Sequence, residues 1–160
     1  MNEEIAAKVN AFVESVNDFF IDIESWITSS SLKSIQQEIE ISEELSGSYK
    51  VNKLTLQDKS GMKIAEFIPV GAFIIGGNGR IDINGTIDKA IIVKLEVGGP
   101  AMSISTKVGN HSETSTTKLY KGIDKKGWYW IEDRRLGKAN YINKDMFIEL
   151  IREVSDYELS

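Results

Sequence analysis

The sequence predicts an α+β domain spanning residues 1–160, in which a long N-terminal helix and a C-terminal helix pack on a central, meander-like antiparallel sheet of about six to eight short strands. Three patterns carry that prediction. Apolar residues recur at steps of three and four from Ile5 to Ile27, β-branched residues and glycines concentrate between Lys63 and Val97, and a second, narrower helical stripe runs from Met146 to Val154. Helix, strands, helix is the order of an α+β fold, not of alternating βαβ units.

The first helix takes Asn2 as its N-cap, and Glu3 and Glu4 suit the positive end of the helix dipole. It ends near Thr28, where the run Thr28 to Ser31 stops it. Its stripe comprises Ile5, Val9, Phe12, Val13, Val16, Phe19, Phe20, Ile23, Trp26 and Ile27, wider than the roughly 100° that one sheet contact needs. That width predicts that Phe12 and Phe19 either spread across the whole sheet or are left for a subunit interface, a C2 homodimer being the simplest cover.

Residues 33–44 fit a helix or a strand, and the alternation of Ile39 and Ile41 around Glu40 favours a strand centred on Glu38 to Ser42. A second strand covers Tyr49 to Gln57. Tyr49 and Val51 point one way and Leu54 and Leu56 the other, which predicts a β-bulge at Asn52-Lys53. Asp58 to Gly61 is a hairpin loop, and the returning strand Met62 to Ile68 runs to Pro69, which cannot donate to a central ladder and so marks a strand end or an edge. Gly76-Gly77-Asn78-Gly79 reads as a turn between strands, since it lacks the glycine spacing and the lysine of a phosphate loop. In the hairpin that follows, parity groups Ile81 and Ile83 with Ile91, Val93 and Leu95 on one buried face. A two-residue Asn84-Gly85 turn breaks that grouping, whereas a loop of odd length keeps it; the five-residue loop Asn84 to Asp88 also avoids setting Asp82 opposite Asp88.

After Gly98-Gly99-Pro100, Met102 and Ile104 mark a short strand, and Thr106 to Lys118 is a surface loop or an exposed hairpin. A strand at Leu119 to Lys121, a turn at Asp124 to Gly127, an aromatic strand at Trp128 to Ile131 and a charged irregular stretch from Glu132 to Asn140 follow. Asn143 caps the final helix, whose stripe is Met146, Phe147, Leu150, Ile151 and Val154.

At 160 residues, 41% hydrophobic and 27% charged, the chain can bury a substantial core without staples. With no cysteine, disulfides and thiolate metal sites are excluded. A net charge of −5 argues against nucleic acid and anionic membrane and is compatible with a basic protein partner. No apolar run approaches the ~20 residues of a membrane span, and the acidic start Met1 to Val9 lacks the features of a signal peptide, so a cytoplasmic location is predicted. The only histidine, His111, lies in a polar segment without an orienting carboxylate or a nucleophile elbow. No catalytic, cofactor or metal site is predicted.

The functional expectation is a non-catalytic cytoplasmic protein that binds another protein or itself, of the bacterial immunity or antitoxin type. Candidate contact residues are the aromatic strand Trp128, Tyr129 and Trp130, whose other reading is that the tryptophans finish the core beneath a helix, the acidic group Glu38, Glu40, Glu43 and Glu44, whose other reading is a solvated face, and Phe12 and Phe19 of the first helix. The second expectation is a small-ligand binder or enzyme with an apolar pocket between the sheet and the first helix.

Overall fold

The computed structural model describes residues 2–159, the side chains of Met102 and Ile104 excepted. In chain order it contains α1 (Glu3–Ile27), β1 (Lys33–Glu43), β2 (Gly47–Gln57), β3 (Lys63–Gly71), β4 (Arg80–Gly85), β5 (Lys89–Leu95), β6 (Ala101–Val108), β7 (His111–Lys118), β8 (Gly127–Asp133), β9 (Lys138–Tyr141) and α2 (Lys144–Ser155). Among the described residues the strands form a seven-stranded antiparallel sheet in the order β1-β2-β3-β4-β5-β8-β9 and a separate two-stranded sheet, β6-β7. The fold is α+β, with the helices at either end of the chain. Neighbours in the large sheet are neighbours in sequence except where the segment from Glu96 to Lys126 is inserted between β5 and β8.

Both helices begin as the caps dictate. The Asn2 side chain accepts the Glu4 N–H at 2.7 Å, and the Asn143 side chain accepts the Met146 N–H at 2.8 Å. They share one face of the sheet. Phe12, Phe19, Phe20 and Ile23 of α1 and Phe147, Leu150, Ile151 and Val154 of α2 close over Leu54, Phe67, Ile81, Ile83 and Ile92. Phe12 is 1% exposed and Phe19 3% exposed. The stripe of α1 is therefore spread across the sheet and under α2, and these phenylalanines offer no surface to a partner. These side chains pack much of the space between the sheet and the first helix, where an apolar ligand pocket was expected, and a depression lined by Lys8, Ala11, Ser15 and Lys94 stays open at its side.

The opposite face carries a second core. Tyr120 and Ile123 of the inserted segment fold back over Val93, Leu95, Tyr129 and Ile131. Strand β5 is consequently apolar on both faces, and this corrects the expected hairpin register. Ile81 pairs with Ile92, Ile83 with Ala90 and Asn84 with Lys89, leaving a loop of even length. Ile81 and Ile83 thus share the helix-side core with Ala90 and Ile92, while Val93 and Leu95 belong to the second core. Alternation selects a face only where the opposite face is solvated; where both faces are buried, as on β5, it cannot choose between them. The loop is held by α2, since the Val154 carbonyl accepts both Ile87 N–H (2.9 Å) and Asp88 N–H (3.1 Å).

Three further expectations change. Strand β1 pairs with β2 without slipping from Lys33 to Glu43, so the bulge at Asn52-Lys53 is absent from that ladder. Val51 and Leu54 are nevertheless both buried in the helix-side core. The change of face falls where β2 parts from β3, whose pairing begins at Leu54, and two-stranded ribbons twist more strongly than sheets. Pro69 does not end β3, which pairs with β4 as far as Gly71; it marks an edge instead, the other reading of that proline, lying beyond Phe67, the last residue of β3 on the ladder with β2. A proline needs no partner on that side. Leu119 to Lys121 is not a strand, and the stretch from Glu132 to Asn140 contains the end of β8 and the start of β9.

Candidate functional site

The inserted segment supplies the most exposed architecture in the chain. Strands β6 and β7 pair along their full length from Ala101–Lys118 to Val108–His111 and join no other strand. Every residue of β7 is exposed. Serine and threonine dominate because they combine strand propensity with a solvated side chain, and the pairs Ser103–Thr116 and Ser105–Thr114 hydrogen-bond across the hairpin at 3.4 and 3.2 Å. His111 stands at the tip, 76% exposed, with its Nε2 3.2 Å from Glu113 Oε1. An ion pair so exposed contributes little. Replacing His111 with alanine is expected to change unfolding free energy by less than about 0.5 kcal/mol in urea titration; a larger loss would mean that the tip is packed.

The base of the hairpin is a different surface. The Leu119 N–H donates to the Pro100 carbonyl at 3.0 Å and closes the arm. The loop between β3 and β4 folds over this point, with Ile74 packed against the second core and Gly76 beside Leu119 and Pro100. That places Ile75 outward, 99% exposed. On the other side, the β8–β9 turn is fixed by Asp133, whose Oδ1 accepts the N–H groups of Arg135 (2.9 Å) and Leu136 (3.2 Å). Gly137 lies against the Leu119 carbonyl, and Leu136 is left 71% exposed. Between these elements Ile75, Leu119, Tyr120 and Arg134 line a cleft of about 160 Å³. Ile75 lines this cleft, and Leu136 stands on the same turn as Arg134, so two exposed aliphatic side chains flank one depression.

The electrostatics of this region oppose those of the rest of the chain. Residues 100–138 carry eight Lys and Arg against four Asp and Glu, a net +4 in a protein of net −5.

The residues singled out from the sequence are not gathered here. Trp128 and Tyr129 are buried, and only Trp130 is part exposed, at a cleft it shares with Asp88, Ile91 and Glu153. Trp128 packs on Phe12 and Phe19 with its Nε1–H on the Ser15 carbonyl at 3.3 Å; Tyr129 lies on the other face with its hydroxyl on the Lys125 carbonyl at 2.7 Å. Burial raises the Tyr129 phenol above its ordinary pKa. The aromatic strand therefore completes two cores. Of the acidic group, Glu38, Glu40 and Glu44 are exposed, and Glu38 pairs loosely with Lys50 at 3.7 Å. Glu43 is turned inward. It accepts the Tyr49 hydroxyl and the N–H groups of Ala72 (3.0 Å) and Phe73 (3.1 Å), pinning β3's exit to the β1–β2 ribbon.

Ile75 and Leu136 were missed because an isolated aliphatic residue beside a glycine reads like any core residue. The charge reversal of residues 100–138 was countable from the sequence. Among the described residues no helix is long and apolar enough to cross a membrane, and no group of three His, Cys, Asp or Glu side chains could hold a metal ion. No family model, no curated protein and no solved structure matches this chain.

Proposed function

We propose that this is a non-catalytic interaction protein, and that its partner is another protein with an acidic face, bound at the base of the β6–β7 arm. The observation that carries the reading is the exposure of Ile75 (99%) and Leu136 (71%) beside a cleft containing Arg134, where the β3–β4 loop meets a segment of net +4 in an acidic chain. Apolar anchors in a polar, charged rim are the anatomy of a recognition surface. The free edges of the arm add backbone donors and acceptors for an incoming strand.

The charge favours a different protein over a second copy, because a C2 interface would set this basic surface against itself. The homodimer expected through α1 also loses its ground with Phe12 and Phe19 covered. An immunity or antitoxin role in the cytoplasm, one small protein masking another's working surface, is the form of this reading that the sequence suggested; it now requires a partner whose matching face is acidic, not basic.

The test compares the intact chain with Ile75→Asp/Leu136→Asp in isolation of partners from the host cell, followed by rebinding of the recovered protein in purified form. One protein should rebind the intact chain, with affinity falling as salt rises, and should bind the double variant at least about tenfold more weakly. Equal binding by both would place recognition elsewhere.

A further inference from the structure

Away from the arm, Lys94 projects from the helix-side face of β5 into a groove beside α1. Its neighbour across the ladder is Trp128, and its Nζ lies 5.7 Å from that ring's centroid. The groove consists of two adjoining depressions, of about 240 and 160 Å³, which share Ser15, Lys94 and Lys126. The larger one also receives Lys8 from α1 and Asn78 and Glu96 from the sheet side. Glu96 is already engaged, by the Asn78 amide at 3.2 Å and the Lys126 ammonium at 3.9 Å. Lys8 is held over the Phe73 ring at 5.2 Å. Among the described residues neither Lys8 nor Lys94 has a carboxylate within 4.0 Å. A half-buried ammonium without a counter-ion carries a desolvation cost that an anion would relieve.

We propose that this groove is a binding site for a small phosphomonoester, with the ammonium groups of Lys94 and Lys8 on its phosphate. Three lysines against one carboxylate leave the larger depression, where the phosphate would sit, with an excess of positive charge, whereas Asp18 and Asp22 line the smaller one. Lysine is a point charge with three rotatable donors, suited to the tetrahedral oxygens of a phosphate, whereas the planar edge of a carboxylate is better met by the fork of an arginine. The depression is larger than a phosphate group, and exposed Ala11 on α1 gives the organic body an apolar contact. Burial, with the nearby Lys126, holds the Lys94 ammonium below the ordinary lysine pKa, against the opposing pull of Glu96, Asp18 and Asp22. A bound dianion shifts that balance back.

The experiment titrates the full chain, labelled in its lysine side chains, with glycerol 3-phosphate, and in parallel with glycerol and with malonate, while NMR follows the Lys8 and Lys94 ammonium-bearing carbons. Glycerol 3-phosphate should shift both signals and raise the Lys94 pKa, and glycerol should do neither. Affinity should fall at least about tenfold in Lys94→Met and stay unchanged in Lys59→Met, which alters an exposed loop lysine. If Lys94→Met fails to fold, Lys8→Met on the helix surface carries the same expectation. The proposal is overturned if malonate binds as well as the phosphomonoester, if Lys94 does not respond at millimolar ligand, or if the folded variants bind like the parent.

Discussion

Replacing Phe67 with alanine is expected to cost about 3 to 5 kcal/mol of unfolding free energy, the largest effect of any single substitution proposed for this chain. Phe67 is fully buried on the helix side of β3, paired with Leu54 on one neighbour and Ile83 on the other. Its ring meets Phe19 of α1 edge-on at 6.2 Å and stacks on Phe147 of α2 at 6.2 Å. One side chain therefore joins both helices to the middle of the sheet. Its removal leaves a cavity walled by three elements that cannot all close on it, since each is also held by its own ladder or by Trp26 against Phe147. Urea unfolding checks this, and a cost below about 1 kcal/mol would mean that the helices do not meet over Phe67.

Replacing Glu43 with alanine is expected to cost about 3 kcal/mol, although the residue belongs to what the sequence presents as a solvated acidic run. Its carboxylate is the acceptor for two backbone N–H groups and one phenol, at Phe73, Ala72 and Tyr49. Truncation orphans all three at once, at about 1 to 3 kcal/mol for each that water cannot reach. Glu43→Gln keeps one acceptor oxygen and should recover part of the loss. Glu44→Ala, on the exposed neighbour, should change little. Burial and then the Glu43 carboxylate raise the Tyr49 phenol above its ordinary pKa. The linked stability is therefore complete below about pH 10 and is eroded only as pH rises beyond that towards the folded-state value. A Glu43→Ala chain as stable as the parent would show that the ribbon is held by its ladder alone.

The helices were legible in the sequence because their periodicity and caps are local: Asn2, Asn143 and the two apolar stripes need no knowledge of the rest of the fold. The antiparallel sheet was legible for the same reason, from β-branched runs separated by Gly-rich turns. The register of β4 on β5 was not, because Ala90 and Ile92 serve the helix-side core while Val93 and Leu95 serve a second core made by residues some 25 positions further on. Nothing in KAIIVKL says which of its two apolar faces meets Ile81 and Ile83. Trp128 and Tyr129 allowed two readings, a contact surface or the completion of the core, for a related reason. An aromatic pair pointing to opposite faces leaves surface exposed only if one face is open, and both are covered. The candidate site was half legible: the polar, basic character of the inserted segment is visible in the residue counts, but the exposure of Ile75 depends on Ile74 and Gly76 packing across the chain against the second core and Leu119.

The most direct test of the account is excision of the arm. Because Leu119 N–H bonds to the Pro100 carbonyl at 3.0 Å, residues 101–118 can be replaced by a Gly-Ser link that closes the chain where it already closes. The account predicts an unfolding midpoint within about 4 °C of the parent, since every residue of β7 is exposed and the arm joins no strand of the large sheet among the described residues, together with weakened, not abolished, binding to the protein partner recovered with the intact chain, because the apolar anchors Ile75 and Leu136 remain. A collapsed midpoint, or full binding by the shortened chain, would contradict it.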